Sequence, residues 1–256
     1  MPKMLLSEMR CAHQMMNSSA ESPLRIFESC RGGFVPAADF HLHTTWTDGE
    51  ASVEQMYRAS IESGLQAVLF SEHARSTSAD WFSNFAAEVR ALPHDKCRAY
   101  VGSEVKILNA EGDLDICPEV RRECDLVMAS VHRFPGETII RQGKEAGYSD
   151  DEVVTIEFEL ARAALRKGNF DILGHPFGMC YSRFKVAPAD RLIREIMSEC
   201  ARADIAFEVN ARYHRNPRQL IDWCLETRTP MSLGSNSHSA GEVGSLQRIL
   251  REAGRS

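Results

Sequence analysis

The stretch Ala37-Ala38-Asp39-Phe40-His41-Leu42-His43-Thr44-Thr45-Trp46-Thr47-Asp48-Gly49 decides how the rest of the chain is read. Its first half is a short apolar run of strand character, closed by two histidines spaced two apart, with Asp48 just beyond. Side chains of a strand alternate between faces, so His41 and His43 share one side and can present two imidazoles to one ion. After them, Ser52 reads as an N-cap, an apolar pattern runs to about residue 63, and Gly64 follows its last periodic position. Strand, polar end and helix together form one β–α unit.

The unit recurs along the chain. Strands are predicted over 37–41, 67–71, 98–105, 126–131, 171–173, 205–209 and 231–233, and helices over about 52–63, 80–92, 150–167, 189–203, 217–227 and 239–253. Alternation of this kind implies an α/β fold with a mostly parallel sheet, and seven strands imply a barrel or a distorted barrel. Residues 36–256 read as a single domain preceded by an N-terminal extension over 1–35.

Almost every predicted strand ends in a polar residue able to bind a metal. After His41 and His43 come Glu72-His73, Glu104, His132, His175, then Glu208 with Asn210, and finally Asn236 with His238. A parallel barrel gathers all its strand C-termini on one face, so these groups converge although sequence separates them widely. Six of the nine histidines lie at these ends, which places a site there rather than scattered surface histidines. Imidazole with carboxylate suits Zn, Mn or Fe, whereas Mg or Ca would need oxygen ligands. So many donors imply two or three divalent ions, with Glu104 able to bridge two of them. Adjacent metals suit hydrolysis of phosphate esters by an activated water. Asp39 reads as a supporting or strand-start residue, and Glu72 as a ligand or a ligand's partner. His13 and His94 lie away from the strand ends and read as solvated.

Phosphate chemistry recruits cations, and Lys106, Arg133, Arg183, Arg212 and His214 all follow strand ends closely enough to reach a substrate anion. Trp46, Phe134 and Tyr181 could wall a base or ring, or simply pack their loops. The formal charge, 30 − 36 = −6, disfavours a non-specific nucleic-acid binder. A small phosphorylated substrate is therefore expected, with nucleic acid admitted but not favoured. Eight cysteines contain no C-x-x-C pair and read as reduced thiols of a cytoplasmic protein. No apolar run approaches the ~20 residues that cross a bilayer, and no secretory signal is apparent.

Taken together, the segments His41-Leu42-His43 to Gly49, Ser71-Glu72-His73, Gly102-Ser103-Glu104, Ala129-Ser130-Val131-His132, Gly174-His175-Pro176 and Gly234-Ser235-Asn236-Ser237-His238 resemble the PHP (polymerase and histidinol phosphatase) superfamily. The stretch from Gly102 to His132 is especially similar to the PHP domain of bacterial family X DNA polymerases and its stand-alone relatives. The resemblance implies a distorted (β/α)7 barrel with up to three metals. Carried over by position, it assigns one metal to His41, His43, Glu104 and residue 236, a second to Glu104, His132 and His175, and a third to Asp48, His73 and His238. Catalysis would rest on His41, His43, Glu104, residue 236 and His238. The family usually carries Asp where this chain has Asn236. A neutral carbonyl oxygen there implies weaker binding of the first metal, whether as a natural variant of altered activity or as a change introduced to trap a ligand. Three readings follow: a phosphomonoesterase on a small metabolite, a phosphodiesterase or 3'-5' exonuclease, or a metal-binding regulatory module with weakened turnover.

Overall fold

Parallel pairing joins all seven strands in the order of the sequence. The computed structural model describes residues 36–137 and 141–253, so the extension expected over 1–35 lies outside the described residues. The strands are β1 (Ala38–Leu42), β2 (Ala67–His73), β3 (Arg98–Lys106), β4 (Leu126–Ser130), β5 (Ile172–Leu173), β6 (Ala206–Asn210) and β7 (Met231–Gly234). Between and after them run α1 (Val53–Glu62), α2 (Ala79–Arg90), α3 (Pro118–Glu123), α4 (Asp150–Lys167), α5 (Asp190–Ala203), α6 (Pro217–Thr227) and α7 (Ser245–Ala253). The sheet order is β1 through β7, and a parallel bridge between Leu42 and Ser237 brings the two edges together. His43 N–H donates to Ser237 O at 2.9 Å and Ser237 N–H to His41 O at 3.1 Å. The result is a distorted (β/α)7 barrel, closed by one bridge and thinned at the two-residue β5.

Local sequence explains the boundaries. Ser52 caps α1 in a reciprocal box with Gln55, and Gly64 leaves the helix at φ +73°, a conformation glycine adopts without strain. Ser149 and Glu152 form the same box on α4, which Gly168 ends in a left-handed turn. Two elements differ from expectation. The six-residue α3, opened by Pro118, is too short to carry a readable period. The helix expected over 239–253 is two pieces, a turn at Ala240–Glu242 and then α7. Among the described residues no helix is long and apolar enough to cross a membrane.

One irregularity in β1 builds the site. Asp39 pairs with Val68 and Leu42 with Phe70, so three steps along β1 match two along β2. The extra residue is a bulge, and it resets which face each side chain takes. Phe40 packs with Leu69, Leu126, Met128 and Ile172 in the apolar cluster inside the barrel, while Leu42 joins the outer core under the helices. His41 and His43 therefore face the interior directly above Phe40. Fully burying a side chain such as Phe40, Leu69 or Met128 contributes about 1.5–3 kcal/mol each, which gives the polar layer above them a firm floor.

Two glycines clear that layer. A Cβ at Gly174 would strike Ser130 Oγ, and one at Gly234 would strike the Glu208 carboxylate and His41 Cβ. Any larger residue at either position would push a strand out of register just beneath the histidines.

Candidate metal centre and active-site cavity

Glu104, at the end of β3 and fully surrounded, is the hub. Its Oε2 lies 3.3 Å from His41 Nε2, 3.5 Å from His43 Nε2 and 3.2 Å from His73 Nδ1. Its Oε1 lies 2.9 Å from His132 Nε2 and 2.8 Å from His175 Nε2. Imidazoles from β1, β2, β4 and β5 thus converge on one carboxylate. A second cluster stands nearer the mouth. Asp48 Oδ2 is 3.4 Å from His73 Nε2 and 3.3 Å from His238 Nε2, and His43 Nδ1 approaches Asp48 Oδ1 at 3.9 Å. His43 and His73 connect the two, with ring centroids 4.4 Å apart.

The donor set fits divalent metal. Ligand atoms bound to one tetrahedral ion at ~2.0–2.2 Å sit roughly 3–3.5 Å from each other. His41 Nε2 and His43 Nε2 are 3.0 Å apart, and each is a similar distance from Glu104 Oε2. Three groups meet the spacing a shared ion requires: His43 with Asp48, His73 and His238; His41 with Glu104 and His175; and His73 with Glu104 and His132. His43 Nδ1, Glu104 Oε2 and Asn236 Oδ1 are buried without a hydrogen-bond partner, although such atoms normally find one. Asn236 adopts φ +55°, a left-handed conformation Asn tolerates better than most residues.

Electrostatics point the same way. Burial alone would depress His41, but Glu208 and Glu104 outweigh it and carry the imidazole up to about 10. His43 is held well below its ordinary value by burial, then by His41 and His73. Burial would raise Glu104, yet His132 and His41 keep it well below the carboxylate range. Protons and metal ions compete for these nitrogens, so ion binding displaces protons from the cluster.

Supporting residues orient the donors. Glu208 accepts from His41 Nδ1 at 2.7 Å, from the His175 backbone N–H, and from Asn210 Nδ2 at 2.8 Å. When the His41 ring is neutral, this bond keeps its proton on Nδ1 and leaves Nε2 to face Glu104. The sequence places Glu208 at a strand end, but its role emerges only once β6 lies beside β5. Glu72 belongs to none of the three groups. It accepts from Thr44 N at 2.7 Å and from Thr47 Oγ1, which pins the loop that carries Asp48. Asp39 accepts from Ser235 N at 2.8 Å and Gly244 N at 2.9 Å, fastening β1 to the turn after β7. His94 precedes β3, where its Nδ1 accepts from Ala99 N, so it is partly buried rather than solvated and is remote from the site.

A cavity of about 770 Å³ opens over the clusters. Lys106, Arg133, Arg212, Tyr213 and Asn236 line it. Arg212 Nη1 lies 3.4 Å from Asn236 O and 3.3 Å from His238 Nδ1. Tyr213, which sequence reading passed over, has its ring 4.5 Å from that of His175, and burial pushes its hydroxyl up to about 12.

Two expected substrate groups are elsewhere. Arg183 is buried in a two-pronged pair with Glu137, at 2.8 and 2.6 Å, and donates from Nε to Arg141 O at 2.6 Å. All three of its nitrogens are engaged in tying the loop after β4 to the turn after β5, the two segments that carry His132 and His175. His214 is buried as well: Nδ1 accepts from Asn210 N at 3.0 Å and Nε2 meets Pro176 O at 3.0 Å. Burial lowers it to about 4, so it is a neutral lock between loops and not an anion holder. Phe134 stacks on Phe184 in the core, and Tyr181 packs against His214; of the three flagged aromatics, only Trp46 lines the cavity.

The model of the PHP domain matches residues 39–212. The chain belongs to the PHP-domain family. The DNA polymerase/3'-5' exonuclease PolX of Bacillus subtilis is 28% identical over 190 residues, 71% of this chain but only 30% of the polymerase's length. A probable phosphatase of Photobacterium profundum is 26% identical over 222 residues, covering 82% of each chain. Among solved structures, histidinol phosphate phosphatase from Lactococcus lactis, complexed with zinc, L-histidinol and phosphate, superposes with a TM-score of 0.58 at 20% identity, over 85% of this chain and 93% of that one. A putative histidinol phosphatase of Listeria monocytogenes gives 0.61 at 16% identity, over 83% and 99%. These last two establish the shared barrel.

Proposed function

We propose that this PHP-domain protein is a metal-dependent phosphoesterase that hydrolyses a monoester of a small phosphorylated metabolite. The observation that carries the reading is Glu104, whose two oxygens are met by five imidazoles at 2.8–3.5 Å beneath a cavity lined with cations. His41, His43, Glu104 and Asn236 would hold one ion, Glu104, His132 and His175 a second, and Asp48, His73 and His238 a third. Zn, Mn or Fe bound there supplies Lewis-acid polarisation of the phosphoryl group and of the attacking water. The chain's own cations do the rest. Lys106, Arg133 and Arg212 approach from the ends of β3, β4 and β6, so they can grip the non-bridging oxygens from different sides. Tyr213 closes the wall beside His175, and the walls bring ester and water together. The match over 82% of a probable phosphatase's length and the acidic net charge both favour a small substrate.

Metal content and hydrolysis of p-nitrophenyl phosphate, measured in the protein and in Asn236→Asp, test this reading. The protein is expected to retain two or more metal equivalents and to hydrolyse the ester, and the aspartate variant to bind metal more tightly and turn over faster. Full metal content with no hydrolysis of any phosphate ester in either form would leave only a metal-stabilised binding module. A second reading draws on the match to the exonuclease and on Arg75, a cation at the cavity rim with no ion pair among the described residues. Degradation of a short single strand without monoesterase activity would reverse the order of the two.

A further inference from the structure

The cavity has an aromatic side that phosphate chemistry does not require. Trp46, in the loop after β1, and Trp81, in the first turn of α2, both line it and both stay partly exposed. Their rings stack with centroids 6.0 Å apart and planes 20° from parallel, and Phe85 meets Trp46 edge-on behind them. The Trp46 indole N–H is spent on Glu88 Oε2 at 2.7 Å, so the ring is held in a fixed plane. The ledge is close to the chemistry. Trp46 precedes Asp48 by two residues, so their Cα atoms are at most about 8 Å apart. Thr47, Thr77 and Asp80 give the ledge a polar edge. The Asp80 carboxylate has no ion pair or hydrogen bond among the described residues.

We infer that the alcohol portion of the substrate carries a flat ring, as in a nucleoside monophosphate, and that this ring stacks on the Trp46–Trp81 ledge while its phosphate lies over the histidine cluster. The inference rests on the phosphoesterase reading for the phosphate end only. A stacked pair of near-parallel indoles, with Trp46 held by its N–H bond, offers an outward π face of about one ring system, which a flexible aliphatic chain cannot match. The polar edge suits the ring N–H and C=O groups of a heterocycle better than the tail of a lipid. Lys106, Arg133 and Arg212 stand on other walls, so ring and phosphate do not compete for the same groups. Trp46 and Trp81 are therefore specificity-determining residues.

Steady-state hydrolysis of adenosine 5'-monophosphate and glycerol 3-phosphate by the metal-loaded protein tests this, alongside quenching of tryptophan fluorescence by each compound. The ring-bearing ester is expected to be preferred and to quench, and the glycerol ester not to quench. Trp81→Leu should lower the ratio of the two kcat/KM values between about fivefold and a hundredfold, the range that loss of one base–aromatic stack produces. Trp81→Phe should keep most of the ratio. An unchanged ratio in a folded Trp81→Leu overturns the inference. If that variant does not fold, the wild-type quench and its persistence in Trp81→Phe decide, and their absence overturns it. Hydrolysis of both esters without preference or quench sinks the ledge and spares the phosphoesterase reading. Quench without hydrolysis of either ester does the reverse.

Discussion

The inner and outer parts of the histidine cluster are built differently. His41, His175, Glu104 and Glu208 are at most 3% exposed, and they sit on or directly after strands. Asp48 is 52% exposed, His73 30% and His238 23%, and two of these three belong to loops. The inner donors are braced by a second buried carboxylate, Glu208. The outer ones depend on Glu72 and Glu242, which hold their loops by backbone N–H groups. A buried, braced site binds tightly and exchanges slowly, whereas an open one is where ligand can enter. On the proposed phosphoesterase reading, the inner part would retain metal and the outer part would admit substrate.

Ranked by effect on turnover, the sharpest way to break that contrast is Glu104→Ala. Five imidazoles would lose their shared carboxylate, at a stability cost of about 3–5 kcal/mol for unpaired buried groups. Turnover should vanish and metal content should fall, whereas His94→Ala should change neither. Retention of full metal by the Glu104 variant would refute the hub. Glu208→Gln comes next. One carbonyl oxygen cannot serve both His41 Nδ1 and the His175 N–H, so affinity for the inner ion should drop about 10–100-fold. Chelator titration with one weakened class of site, the outer sites unaffected, is the expected pattern. Arg183→Ala should lower turnover only slightly, leaving KM for a phosphate ester within about twofold, yet cost about 3–5 kcal/mol of stability through its stranded partner Glu137. A large rise in KM with an unchanged melting temperature would return Arg183 to the substrate.

Much of this architecture was legible in the chain because the two relevant periods are short. Alternating apolar runs marked seven strands, and parallel topology then forced their polar ends together. The β1 bulge was not legible: Phe40 and His41 read as opposite faces of one strand, and only pairing with β2 shows that both turn inward. Arg183 and Lys106 look alike in sequence, each a cation shortly after a ligand. What separates them is Glu137, 46 residues away, which claims the first and not the second. Glu208 was placed at a strand end without its bracing role, and Trp81 was passed over, since both roles come from neighbours that topology supplies.

The smallest expected effect on turnover concerns the turn that follows His175. Glu157 of α4 is buried and accepts from Met179 N at 3.2 Å and Cys180 N at 2.8 Å, steadying a turn in which His175 and Phe177 both take positive φ. Burial raises its carboxyl from 4.5 to about 7. Between those values the folded chain holds a proton that the unfolded chain has released, so stability falls as pH rises from about 4.5 to about 7 and levels off above it. The full loss is on the order of 3 kcal/mol, since each pKa unit is worth about 1.36 kcal/mol. Glu157→Gln removes that titration at the cost of one acceptor, a penalty that does not vary with pH. Cys180 and His175 face the same carboxyl but are common to both proteins, and so is proton competition at the metal ligands. Melting temperatures between pH 5 and 8 should therefore fall more steeply for the wild type than for the glutamine variant. Parallel curves would mean that the carboxylate is already ionised in the fold, with the two N–H groups stabilising it fully.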